Sequence, residues 1–293
     1  MLLSLLVDPV KALLIAAAVF LPFERLAGAN VTQRAFRNGW AMDVMTGLMN
    51  GTLLYAALLL TLGGVDAAAA AGAPQLRHWI ENRSLVAQCV IAILVGDLGV
   101  YGVHRLQHTV SWLWRFHAVH HSAEEMDWLV SFRFHPIDLF LVRVASLAPL
   151  VALHVGPSAI GTFIAISGWQ AWLAHANVRL PYGPLRWLLV SPEFHHWHHS
   201  AERDAHDRNY AAIVASWDVL FGTVYLPRGR HPSCYGIEEA MPSGWIGRFF
   251  HPFRRRARLH VHSPRATHAA VDNPPASRGG VGNPGAEPSS STC

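Results

Sequence analysis

Histidine carries the chemistry legible in this chain. There are 19, and 13 of them fall between His104 and His206. His104 and His108 form an HxxxH; His117, His120 and His121 form an HxxHH; His195, His198 and His199 form a second HxxHH, with His196 inside it; His175 stands alone between the two. On a helix, residues three and four apart share a face. Each HxxHH is therefore expected to present three imidazoles to one point, and His104 and His108 to lie one turn apart. His196 falls on another face and is left out. Neutral imidazole suits zinc, copper, iron or nickel. One structural zinc needs four ligands, and here about twice that number stand ready. Two nitrogen-held ions with open positions, beside apolar sequence, favour a dinuclear iron site for dioxygen chemistry. The carboxylate-rich alternative built on paired Glu-x-x-His motifs fails, because only Glu193 and His196 have that spacing. HExxH is absent, and Cys89, Cys234 and Cys293 are far apart with no CxxC, which supports neither a disulfide framework nor a cysteine zinc site. Asp97, His135, His206 and Asn209 are candidates for an additional ligand or for orienting one. His78, His154, His231, His251, His260, His262 and His268 read as structural or surface residues.

These side chains need elements to hold them, and the composition indicates which. The chain has 293 residues, 52% hydrophobic and 14% charged, where a soluble domain carries about a quarter charged. Spanning a bilayer takes about 20 mainly apolar residues. Met1–Phe23 qualifies despite Pro9 and Pro22; a signal peptide is the rival reading, but the charged n-region is missing. Val44–Val65 carries no charge, and Ser84–Val103 is broken only by Asp97. Ile137–Val155 and Ser158–Ala176 are joined by Gly156-Pro157, a turn signal, and are expected to dip in and return as a hairpin. Only Asp97, Arg143 and His154 are counted as ionisable within the later spans. Asp97, Tyr101, His104 and His108 then run up one face, from membrane towards cytoplasm. Arginines after Val103 and near the C-terminus place the histidines and the C-terminus in the cytoplasm by the positive-inside rule. From His262 the chain turns rich in Pro, Gly, Ser and Ala and reads as a disordered tail, preceded by a basic run over Arg254–Arg258 that serves as a topology signal or lies against anionic lipid. Tryptophans 112, 114, 128, 169, 172 and 197 flank the histidines, mostly as interfacial anchors.

The run Asp97-x3-Tyr101-x2-His104-Arg-x2-His108, His117-x2-His120-His121, Arg133-x-His135-Pro136, His175-x-Asn177 and His195-x2-His198-His199-Ser200 resembles the fatty acid hydroxylase/sterol desaturase superfamily. Asn209-Tyr210 and Trp217-Asp-x-Leu-Phe-Gly-Thr223 are similar to the segment that closes its catalytic domain, so the resemblance covers about residues 90–227. It implies an integral-membrane enzyme holding two non-haem irons on histidine, using dioxygen and two electrons to hydroxylate or desaturate a lipid C–H bond. The ligand role is carried onto His104, His108, His117, His120, His121, His175, His195, His198 and His199. Two positions depart from the pattern: Ala171 stands where some members have a further histidine, and Ala211 where glycine is common.

The expected fold class is all-α, an integral-membrane helical bundle with a cytoplasmic histidine-rich di-metal cap. Residues 1–83 hold the N-terminal spans, 84–247 the catalytic domain, and 248–293 the basic segment and tail. No His-Pro-Gly-Gly haem signature and no dinucleotide fingerprint occur, so electrons are expected from a separate ferredoxin- or cytochrome-type donor. The expected partners are a lipid or other apolar substrate and the membrane, with no nucleic acid. The arginine-rich, lysine-poor composition suggests a bacterial inner membrane. The alternatives are a membrane metal-binding or transport protein and a non-catalytic scaffold.

Overall fold

The computed structural model describes residues 2–254, apart from 70, 71 and 73. The tail from His262, and all of the basic run but Arg254, lie outside the described residues. Helices make up the described chain: α1 (Leu2–Leu26), α2 (Trp40–Ala69), α3 (Pro74–Glu81), α4 (Leu85–Thr109), α5 (Ser111–His121), α6 (Pro136–Ala152), α7 (Pro157–His175), α8 (Pro192–His198), α9 (Ser216–Leu220) and α10 (Trp245–Phe250). Among the described residues the only extended pairing is two isolated bridges, Gly28 with Val178 and Ser200 with Tyr235.

Local chemistry starts the helices where the site needs them. Ser84 opens α4 by accepting from the Ala87 N–H, and Ser191 opens α8 by accepting from Phe194, with Pro192 at the first helical position. The turn expected at Gly156-Pro157 forms: α6 and α7 are joined through His154, whose φ is +61°, and Gln88 on α4 accepts from the Gly156 N–H at 2.7 Å, while the two helices pack chiefly on α4 rather than on each other. Helix α4 is the centre of the bundle and packs on α5, α6 and α7. Small residues let it come close. A side chain at Gly99 would meet the Ala145 carbonyl oxygen at 2.1 Å, and one at Gly96 would meet the Phe163 ring at 2.5 Å. The apolar layer behind it contains Ala92, Leu147, Leu150, Ala159 and Phe163.

The N-terminal stretch is part of the same body. Ala16 and Phe20 of α1 are buried with Trp128, Leu129, Ala176 and Val178, and α1 packs on α2 and α7. One element is added to the expected order, and one expectation needs adjusting. The segment between the second and third apolar stretches contains α3, which buries Ile80. Among the described residues, α4 alone is long and apolar enough to cross a membrane as a single straight helix, with 25 residues and a mean hydropathy of 1.9; α6 stops at 17 residues, short of the roughly 20 that a span needs.

Candidate metal centre

Three helix ends and one helix deliver the histidines. His104 and His108 occupy the last turns of α4, His175 ends α7, His117, His120 and His121 line α5, and α8 supplies His195 and His198 with His199 as its C-terminal cap. All nine residues carried over from the motifs meet in two buried groups. His104, His108, His117, His121 and His198 form one, and His120, His175, His195 and His199 the other, with the candidate nitrogens of each group within 4.8 Å of one another.

The grouping differs from the expectation that each HxxHH serves one point. Each motif is divided. His117 and His121 go to the first group and His120 to the second; His195 and His199 go to the second and His198 to the first. Helical geometry explains it, because i and i+4 sit only about 40° apart around the axis whereas i+3 lies about 60° to the other side. The residue at i+3 therefore looks at the neighbouring group. The groups adjoin, with the His121 and His199 rings stacked at 4.4 Å.

Hydrogen bonds fix which nitrogen faces inward. The Nδ1 of His104 donates to the Tyr210 carbonyl (2.7 Å), that of His198 to Arg208 (2.7 Å), that of His175 to Ala171 (2.7 Å) and that of His120 to Arg133 (3.3 Å). His117 donates from Nδ1 to the buried Asp138 carboxylate at 3.1 Å, and Gln107 also donates to that carboxylate. A carbonyl or carboxylate only accepts, so these rings carry their proton on Nδ1 and turn the Nε2 lone pair inward. Lone pairs then confront one another: His104 Nε2 lies 3.0 Å from His117 Nε2, and His175 Nε2 lies 3.3 Å from His120 Nε2. With each ring in its neutral form, neither pair has a proton to share. Two nitrogens bound at right angles to one ion at about 2.1 Å each would stand about 3 Å apart, so a cation between them resolves the repulsion. The Nε2 atoms of His108 and His198 are likewise buried without a hydrogen-bond partner. The donor set of each group thus fits a metal ion, with outer residues holding the rings as metal sites require.

Burial also keeps several of these rings uncharged. It pushes His198 down to about 3 and holds His120, His121, His195 and His199 well below the usual histidine range, with neighbouring imidazoles adding to the effect for these four. A neutral imidazole is the form that ligates.

The other candidates sit outside both groups. His135 caps α6, accepting from the Ile137 N–H, while its Nε2 donates to the Phe249 carbonyl. His206 follows the 3-10 turn Arg203–Ala205. His196 is tied outward to the Ala176 carbonyl and the Tyr235 hydroxyl. Asp97 is fully buried and accepts from the backbone N–H groups of Ala212, Ile213 and Val214, bracing the loop that carries the Tyr210 carbonyl. Asn209, in a left-handed conformation, joins the Phe194 and Tyr225 carbonyls and so anchors α8. Asp138 escaped the count of ionisable residues within the Ile137–Val155 stretch. A carboxylate two residues after His135-Pro136 was the available signal. Asp218 also went unassigned; it accepts from the Tyr210 and Ala211 N–H groups and from Thr223, which gives the closing motif its purpose.

A family model described as fatty acid hydroxylase matches residues 89–223, a segment containing all nine histidines. The chain is 32% identical to an ornithine lipid hydroxylase of Rhizobium tropici over 219 residues, which is 69% of this chain and 66% of that one. It is 33% identical to human alkylglycerol monooxygenase over 133 residues, 45% of this chain and 29% of the relative. A rat cholesterol 25-hydroxylase is 24% identical over 165 residues, covering 56% of this chain and 55% of its own. The match therefore covers only part of each relative's length. No solved structure matches the chain significantly.

Proposed function

The chain belongs to the fatty acid hydroxylase/sterol desaturase superfamily, and from that premise we propose that it is an oxygen-dependent oxidoreductase that hydroxylates a C–H bond of a membrane lipid. The observation that carries the reading is the pair of buried groups whose neutral imidazoles turn unprotonated nitrogens towards one another. Nine histidines with two such foci, and carboxylates confined to an outer role, fit two non-haem irons, each reached by four or five nitrogens. The relatives named above act, by their names, on ornithine lipids, alkylglycerols and cholesterol. A lipid substrate is what these names share, and hydroxylation is preferred to desaturation on the same ground.

Iron bound in this way would supply the reduction of dioxygen and an oxidant able to take hydrogen from a methylene. The rest is the work of the chain. Tyr210, Arg208, Ala171, Arg133 and Asp138 hold the rings in one tautomer, and burial of every ring excludes the water that would quench an oxidant. Exposed Leu94 and Leu98 on α4 face outward along the helix that, among the described residues, is alone long and apolar enough to cross a bilayer, a surface suited to an acyl chain. Two electrons per turnover come from a separate carrier of ferredoxin or cytochrome type. Its docking to an arginine-rich cytoplasmic face at a bacterial inner membrane would make the rate fall with salt.

The test is elemental analysis with Mössbauer spectroscopy on detergent-purified protein reconstituted with ferrous iron. Close to two coupled irons per chain, with dioxygen- and donor-dependent gain of oxygen on a lipid, is the expected result. His120→Ala and His198→Ala should each abolish turnover and lower bound iron. Full activity in either variant, or no stoichiometric metal after reconstitution, would overturn the assignment.

A further inference from the structure

The segment that shapes the second histidine group is held from outside the matched domain, by one stripe of α2. Asp43, Gly47 and Asn50 follow one another at successive turns of that helix. Asp43 is fully buried and accepts from Arg133 at both Nε (2.6 Å) and Nη2 (2.9 Å). Arg37 bonds the same carboxylate and that of Asp127, each at 2.6 Å. One turn further, Gly47 lies against Phe132, where a Cβ would come within 2.7 Å of the ring. One turn further again, buried Asn50 donates to the Phe134 carbonyl at 2.8 Å.

Arg133 and Phe134 are the two residues that fix His120. The Arg133 carbonyl accepts from its Nδ1, and the Phe134 ring stacks on the imidazole with centroids 4.2 Å apart and planes 16° from parallel. The five-histidine group draws its outer bonds from Tyr210, Arg208 and Asp138 instead. A buried cluster of two arginines and two aspartates is a poor source of stability, since desolvation offsets the attraction. Its retention beside an otherwise apolar helix calls for a role in fixing position.

We propose that Asp43 and Asn50 are positioning residues for the second metal group, acting through Arg133 and Phe134 on His120. The inference rests on the reading of His120 as a ligand. It places part of the metal centre's support in residues 37–50, beyond the segment that the family model covers.

Cobalt(II) titration of metal-free, full-length protein in detergent, followed by its visible ligand-field bands and by competition with a chelator, tests this. Wild type should take up two equivalents. Asn50→Asp, which keeps the shape but cannot donate, and Asn50→Leu should weaken one equivalent by about 10–100-fold and leave the other unchanged. The altered band should match that of His120→Ala. Asp43→Asn should act in the same direction; because it leaves Arg133 short of its buried partner, it can cost the fold itself, and the Asn50 variants then carry the test. Folded Asn50 variants that bind both equivalents as wild type does, or lose both equally, would overturn the proposal and leave α2 a plain support. A wild type that binds no second equivalent would instead overturn the functional reading, and this inference with it, before any variant is made.

Discussion

A histidine is made ready to ligate here by the group on its far side. Asp138 is the strongest case, since it is fully buried and takes hydrogen bonds from both His117 and Gln107. Removing its charge should leave His117 free to adopt the wrong tautomer. Asp138→Ala is expected to lower metal affinity in the five-histidine group by about 10–100-fold and turnover at least as much, read by chelator competition and by product formation. The nine histidines were legible from spacing and resemblance alone, because ligand type and helical period are both written in sequence. Most of their partners were not. Tyr210, Arg208, Ala171 and Arg133 act through backbone carbonyls, and a carbonyl has no sequence signature. Asp43 and Asn50 reach the site only through a long-range packing contact.

Among the elements, α4 is packed against α5, α6 and α7. Its Gly99 touches the α6 backbone, so Gly99→Ala forces the two helices apart and should destabilise the protein by about 1–3 kcal/mol, as overpacking does. Gly102, one turn away, has nothing within 4 Å of an added Cβ. Gly102→Ala should be neutral or stabilise by up to about 1 kcal/mol through helix propensity. Thermal unfolding of the two variants side by side in detergent checks the contrast; equal effects would count against close α4–α6 packing. The turn between α6 and α7 was foreseeable because Gly156-Pro157 is local turn chemistry. The position of α3 and the division of each HxxHH between two groups were not, the first because its pattern is short, the second because spacing gives a face but not what the face meets.

For the molecule as a whole, burying so many imidazoles ties stability to pH. His198 and His196 are pushed by burial to about 3 and about 4, from an ordinary value of 6.5. The unfolded chain therefore takes up protons first as the pH drops. Stability of the metal-free protein should be full above about 6.5 and fall steadily from there towards pH 3, as the sign of the linkage requires. Thermal midpoints across pH 4–8 check this, and a midpoint that rose on acidification would contradict the neutral state of the rings. Bound metal should raise this curve by a nearly constant amount until the folded rings themselves begin to protonate, since the nitrogens it occupies are already neutral. The crossed assignment of α5 and α8 has one more consequence, for modularity. Because both helices feed both groups, neither group is a cassette that can be excised, transplanted or shed by trimming the chain. A one-ion version of this protein must be carved residue by residue, through positions such as His120, His175 and His195, with every helix left in place.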